Sequence, residues 1–352
     1  MSKVHIVGSG PAGCIAAISA LNHGFDVVMS EDHKKSGEPE NCSGLLSRDG
    51  LESLSCFVDY SKHAINPIHG ADIRLGDELL KIRKSSPVAY VCNRSSFDSE
   101  LASNAESHGA KINYGEKITS VFHSENVIGA DGPFSAVARH FSFAPISKFA
   151  TTLRANVKYS SENPNVVEVF LSNKKFPGFF AWVIPHNEES AEFGVGVLVP
   201  HKAEAAWDYL LKMKKTGYAK PRGWAIPLSV RSQTAKKNVM LVGDAAGQVK
   251  STTGGGVIFG GNCASIAGAY ADNPLAYELM WRWRFGPDLK MHGLIHKFLY
   301  SLTDDSLSAL GRRLKSIDCE AYLSNYGHMD RPSQMLKPHL ITHMIKSICG
   351  VA

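Results

Sequence analysis

One stretch near the N-terminus limits the possible folds more than any other: KVHIVGSGPAGCIAAISALNHGFDVVMSED, residues 3–32. The apolar run from Val4 leads into Gly8, Gly10 and Gly13, spaced as G-x-G-x-x-G. An Ala-rich segment follows, then a second apolar run that ends at Glu31. Strand, glycine turn, helix and strand in this order predict a βαβ unit. Each glycine has its own reason. Gly8 permits the tight turn, Gly10 omits a side chain where a pyrophosphate must approach, and Gly13 lets helix and strand pack closely. The helix N-terminus then faces the phosphates. Glu31, 23 residues after Gly8, stands where a carboxylate accepts hydrogen bonds from a ribose 2′-hydroxyl. The unit predicts an α/β fold that binds a dinucleotide.

The fingerprint alone leaves NAD and FAD open, and two later segments separate them. NVIGADGPFSAVAR, residues 126–139, is an apolar strand ending in Gly-Ala-Asp-Gly before a helix start, with Asp131 shaping that turn. NVMLVGDAAGQVKSTTGGGVIFGGNCASIAG, residues 238–268, is another apolar strand ending in Gly-Asp, followed by a glycine-rich lead into a helix. Asp244 is placed to reach the ribityl hydroxyls of a flavin, and the backbone amides of Gly256 and Val257 to face its pyrimidine edge. A nicotinamide needs no such segment, so FAD is the expected cofactor.

Composition narrows the remaining classes. With 352 residues, 44% of them hydrophobic and 20% charged, the chain suits two globular domains. The net charge is +5, but no run of Lys and Arg with interleaved aromatics marks a nucleic-acid groove. From Trp281 onward ten Lys/Arg stand against six Asp/Glu, so that stretch carries +4 of the +5. Seven scattered cysteines without paired spacing fit a reducing cytoplasm. The first apolar run passes straight into glycines, unlike a signal peptide. No apolar stretch is long enough to span a bilayer. Fifteen histidines include no metalloprotease spacing, and no metal is expected.

With its three cofactor segments in order, the chain resembles the FAD-dependent geranylgeranyl reductase family, of the archaeal digeranylgeranylglycerophospholipid reductase type. That family lies within the glutathione-reductase-like flavoproteins that include aromatic hydroxylases. The resemblance runs from residue 3 to about residue 268 and is most specific in GDAAGQVKSTTGGG. NCSGLLS, residues 41–47, resembles the family's cysteine-containing flavin loop, and NRSSFDSELASNAESHGAKI its Arg-x-x-Phe-Asp-x-x-Leu helix. The resemblance implies that Ala12, Glu31, Cys42, Ser43, Leu45, Arg94, Val121, Asp244, Gly256 and Val257 line FAD. It also makes the Cys42 thiol a candidate catalytic group. Two departures stand out: only residues 122–126 separate KITSV from VIGADG, where relatives carry a longer insertion, and Ser251 replaces a common proline.

FPGFFAWVIPH, residues 176–186, matches the family's Pro-x-x-Tyr-x-Trp-x-Phe-Pro at Pro177, Trp182 and Pro185, with Phe180 and Ile184 in place of tyrosine and phenylalanine. Alternation along this segment puts Phe180, Trp182 and Ile184 on one face of a strand. By the resemblance that face binds an isoprenoid; by local pattern alone it is equally an ordinary core strand.

The expected architecture is a discontinuous Rossmann-like FAD-binding domain (1–60, 93–140, 234–280), an antiparallel β-sheet substrate domain (61–92, 141–233) and a helical C-terminal region (281–352). The resemblance implies an oxidoreductase that reduces isolated double bonds of geranylgeranyl chains on a polyprenyl lipid or polyprenyl diphosphate. The competing readings are an aromatic-hydroxylase-like monooxygenase and a flavin-bearing electron-transfer module. No second G-x-G-x-x-G marks a nicotinamide domain, so NAD(P)H visits transiently or a carrier protein such as ferredoxin donates electrons. In KPHLITHMIKSICGVA, residues 337–352, Leu340, Ile341, Met344, Ile345 and Ile348 share one helical face near Lys337 and Lys346. Together with MWRWRF, residues 280–285, this stripe suits either packing on the neighbouring domain or peripheral contact with an anionic membrane on its cytoplasmic side.

Overall fold

The computed structural model describes residues 2–40, 42–118 and 126–336. Val121 and the stripe at 340–348 lie outside them. The βαβ unit forms as the spacing predicts: Lys3–Val7 pairs in parallel with Asp26–Glu31, and helix Pro11–Asn22 connects them. A Cβ on Gly13 would lie 1.9 Å from the Gly8 carbonyl oxygen, so only glycine allows this helix to sit so close to the turn. Strand Asn126–Gly129 flanks Lys3–Val7 on its other side, followed by Val239–Leu241, while Lys111–Tyr114 closes the far edge beyond Asp26–Glu31. These five strands run parallel, and Ala235–Lys236 adds an antiparallel edge. Helix Val257–Ala269 packs along Pro11–Asn22 over a core of small and branched residues that includes Ile15, Ile18, Cys263 and Ala264.

A seven-stranded sheet takes the order Arg222–Pro227, Phe149–Lys158, Ser190–Leu198, Ala181–Pro185, Val166–Leu171, Gly70–Leu75 and Glu78–Arg83. It is antiparallel except where Val166–Leu171 runs parallel to Gly70–Leu75, which makes it mixed rather than purely antiparallel. The two strands of this pair lie far apart in sequence, which leaves room for the crossover connection that a parallel pairing requires. Helix Glu204–Met213 covers the outer face, burying Trp207 and Leu210 against Phe193, Val183 and Ala181.

Two features were not anticipated. A three-stranded sheet of Leu45–Ser47, Ala89–Cys92 and Ala64–Ile68 ties the cysteine-containing loop to the region before helix Arg94–Ser107. Helix Pro274–Leu299 runs without interruption through the expected domain boundary at residue 280. It buries Tyr277, Trp281, Phe285 and Leu289, an i, i+4, i+8, i+12 stripe, so the helix continues as one packed element. Helices Asp304–Ser316 and Cys319–Tyr326 follow it.

Candidate active site

The carboxyl ends of the parallel strands converge, which is where open α/β sheets bind their ligands. Gly8 follows the first strand with φ +101°, a left-handed conformation that favours glycine. A Cβ on Gly10 would meet nothing within 4 Å, so this turn opens directly onto the cavity. Glu31 ends the neighbouring strand and is buried. One of its oxygens accepts from the Ser9 N–H at 2.7 Å and the Ser9 hydroxyl at 2.9 Å, the other from the His33 N–H at 3.0 Å. Burial pushes this carboxyl up, but the hydrogen bonds from Ser9 and His33 outweigh it and hold it below its usual value. The site thus keeps an ionised acceptor at the strand end.

Asp244 follows Val239–Leu241 in a short 3-10 turn, with Gly256 and Val257 opposite at the start of the next helix. A Cβ on Gly256 would stand 2.8 Å from an Asp244 carboxylate oxygen, so the glycine gives the acid its space. Burial raises the Asp244 carboxyl to about 6, with Arg94 pulling it back down. Arg94 opens helix Arg94–Ser107, whose N-terminus is capped by Asn93 accepting from the Ser96 N–H at 3.0 Å. Its buried guanidinium donates to both oxygens of Asp98, at 3.0 and 2.9 Å. Asp131 has the turn-forming place expected of it. It accepts from the Ser135 hydroxyl and the Ala136 N–H, both at 2.6 Å.

All these groups border one cavity of about 1190 Å³, together with Ala12, Cys42, Ser43 and Leu45. Gly13 does not line it and acts through packing instead. Cys42 is half-buried, and its sulfur accepts from the Gly44 N–H at 3.5 Å. The donor set fits a flavin dinucleotide: a glycine cradle at a helix N-terminus, an ionised carboxylate one strand over, and a second carboxylate at a second helix start.

The same cavity continues past the flavin-type features to Phe180, Trp182 and Ile184. Strand alternation separates these from Ala181 and Val183, which pack against Trp207 and Leu210 on the other face. Phe179, just before the strand, joins the cavity side and lies 4.3 Å from Phe180 between ring centroids. Beside the wall, on the same face of the sheet, is a buried polar relay that the sequence did not reveal, and its Arg154 lines the cavity. The Trp182 indole N–H donates to Glu192 at 3.0 Å, and Arg154 donates to the other Glu192 oxygen at 2.6 Å. Arg154 also donates to the Glu40 carbonyl, two residues before Cys42. Burial raises the Glu192 carboxyl against the opposing pull of Arg154.

A second relay crosses from the glycine-rich loop to the C-terminal segment. Lys250 pairs with Asp330 at 2.5 Å, both side chains being buried, and Asp330 also accepts from the Ser47 hydroxyl. Burial pushes the Asp330 carboxyl up, but Lys250 and Ser47 outweigh it and leave it low. Burial and the nearby Lys250 charge depress His292 to about 4, so its ring is neutral near pH 7. Its Nε2–H donates to the Asp330 carbonyl at 3.1 Å, which leaves Nδ1 to accept from the Thr252 hydroxyl at 2.6 Å. No local signal announces these partners, because Lys250 and Asp330 are 80 residues apart. An aliphatic part of the cavity is lined by Ile295, Leu299, Leu310, Leu314 and Met329, of which Leu299, Leu314 and Met329 pack in one cluster with Phe180, Trp182 and Ile184.

No family model matches the chain. It is 26% identical over 370 residues to digeranylgeranylglycerophospholipid reductase 2 of Methanosphaera stadtmanae, covering 91% of this chain and 93% of that one. In structure it is similar to a geranylgeranyl bacteriochlorophyll reductase-like protein from Thermoplasma acidophilum, with a TM-score of 0.80, 22% identity and coverage of 98% and 96% of the two chains. A probable FAD-dependent monooxygenase from Pseudomonas aeruginosa shares the fold at a TM-score of 0.66 and 16% identity, over 89% of this chain and 99% of that one.

Proposed function

We propose that the protein is an FAD-dependent reductase of isolated double bonds in geranylgeranyl chains carried by a membrane-lipid precursor. The observation that carries this reading is continuity. A single cavity is lined by a dinucleotide cradle, an aromatic wall and a group of aliphatic side chains that packs with that wall. Its volume of about 1190 Å³ exceeds the roughly 300–1,000 Å³ usual for one ligand, so cofactor and substrate can share it. The similarity to reductases named for digeranylgeranylglycerophospholipid supports the substrate class.

Reduced FAD, when bound, would supply hydride to one alkene carbon while a proton reaches the other. The protein binds and orients. Gly8, Gly10 and the following helix N-terminus receive the pyrophosphate, Glu31 the ribose, Asp244 the ribityl chain, and Gly256 and Val257 the pyrimidine edge. Arg94, Cys42, Ser43 and Leu45 border the ring. Phe180, Trp182 and Ile184 form a flat apolar wall that aligns a polyprenyl chain and excludes water. The six-stranded sheet serves the cofactor and the seven-stranded sheet the substrate. NAD(P)H or an electron-carrier protein delivers the electrons, and the protein works from the cytoplasmic face of the membrane. The monooxygenase of similar fold makes hydroxylation the second reading. The wall's Phe, Trp and Ile lack the polar groups that hold a phenol.

The test is anaerobic. Holoprotein reduced with dithionite is mixed with a digeranylgeranylglyceryl phospholipid, and the product is weighed by mass spectrometry. A gain of two hydrogens per saturated bond, with reoxidised flavin, is the expected result. A colourless protein that binds no flavin, or reduced flavin that consumes oxygen to hydroxylate an aromatic and leaves the lipid unchanged, refutes the proposal. Cys42→Ser separates thiol chemistry from packing. Retained flavin with lost turnover assigns the thiol a chemical role, and retained turnover removes it.

A further inference from the structure

Helix Pro274–Leu299 has an outer face that its burial pattern leaves apolar. Leu279, Trp283, Leu294 and Phe298 are 61%, 76%, 59% and 53% exposed, while Tyr277, Trp281 and Phe285 pack inward on the opposite side. At 100° per residue Leu279, Trp283 and Leu294 fall within one third of the helix circumference, with Phe298 at its edge. Lys290 and Lys297 are exposed among them, and the exposed Arg284 lies just outside this sector. The acidic residues of this helix are engaged elsewhere: Glu278 accepts from Arg282 at 2.6 Å, and Asp288 is buried and accepts from the Ser333 N–H at 3.0 Å. Large exposed apolar side chains interleaved with cations fit the boundary between acyl chains and anionic headgroups. They do not suit open water. Among the described residues no helix is long and apolar enough to cross a membrane.

The position of the helix supplies the second argument. Ile295 and Leu299, on the same final turns as Leu294 and Phe298, line the aliphatic part of the cavity. The exposed apolar face and the inner apolar lining therefore meet along one helix. We infer that the outer face of helix Pro274–Leu299 docks the protein on an anionic lipid surface and holds the aliphatic part of the cavity against the bilayer. This inference rests on the reductase reading for its purpose, but the docking is measurable without turnover.

The experiment is vesicle co-sedimentation of FAD-loaded full-length protein. Vesicles of equal parts phosphatidylglycerol and phosphatidylcholine are compared with phosphatidylcholine alone. Wild-type protein is expected to bind the anionic vesicles at least tenfold better and to release in high salt. Trp283→Glu and the double variant Lys290→Glu/Lys297→Glu are each expected to lower binding at least tenfold with flavin content unchanged. Trp283→Phe should abolish most of the fluorescence blue shift that vesicles induce. Wild-type protein that stays in the supernatant, or variants that bind like wild type, overturn the inference. So does a wild-type dimer that Trp283→Glu converts to monomer, since the face then belongs to a second copy. A chain ending at residue 336 that binds far better than full length assigns the face to residues 337–352 and overturns it as well. Intact vesicle binding by a protein that reduces no polyprenyl lipid would refute the reductase reading and leave the docking surface standing.

Discussion

Replacing Asp244 with asparagine should stabilise the apoprotein and weaken its hold on FAD. Burial raises this carboxyl from 3.8 to about 6 in the folded chain, so the folded state holds the proton more tightly than the unfolded state. Below the unfolded value both states are protonated and the full stability is present. As pH rises the unfolded chain ionises first, and stability falls until the folded carboxyl has ionised near 6. A gap of roughly two units at about 1.36 kcal/mol per unit makes this loss about 3 kcal/mol at its largest. Asparagine has nearly the same shape and does not titrate. The variant apoprotein should therefore lose this component of the pH slope and unfold several degrees above wild type at about pH 7.5. FAD should bind more weakly by about 1.5–3 kcal/mol, because a neutral amide replaces a charged acceptor for the ribityl hydroxyls. Thermal melts of both apoproteins from about pH 4 to about pH 8, followed by flavin titration, measure each half. Parallel pH slopes, or a variant less stable than wild type near neutrality, would refute the reasoning about burial. Unchanged FAD affinity would refute the assignment of Asp244 to the cofactor.

Three further perturbations probe other parts of the cavity. A Cβ at Gly194 would lie 2.1 Å from the Trp182 indole, so Gly194→Ala should push the ring off Glu192, cost about 1–3 kcal/mol of stability, and lower turnover on long-chain substrate. Flavin content should persist, and normal turnover by a folded variant would show that the wall needs no fixed ring. Glu31→Ala should weaken FAD by about 1.5–3 kcal/mol as measured by flavin release, and a fully loaded variant would remove Glu31 from the site. Asp330→Ala leaves the buried Lys250 ammonium unpaired and should lower the unfolding free energy by about 3–5 kcal/mol, whereas Lys250→Met with Asp330→Leu should recover most of it. Equal denaturation midpoints for the single variant and wild type would show that the pair contributes nothing.

Local chemistry determined the parts of this protein that depend on neighbours in sequence. Gly8, Gly10 and Gly13 specify a turn and a close helix approach within six residues, and period-two alternation specifies which side of Ala181–Pro185 carries Trp182. Three segments of the candidate cofactor site were legible for the same reason: each is a strand end followed by a glycine turn, at Gly8, Gly132 and Gly243, whereas Arg94 and the Cys42 loop carried no such signature and were placed by resemblance. Tertiary structure decided what requires distant partners. The parallel pairing of Val166–Leu171 with Gly70–Leu75, the hold of Glu192 on Trp182 and Arg154, and the Lys250–Asp330 pair all bring together groups that no periodic pattern links. Whether the aromatic strand was wall or core also depended on the fold, because alternation separates two faces without saying which one meets a cavity. Burial, which raised Asp244 and lowered His292, is a property of everything packed around a group, and a sequence position does not contain it.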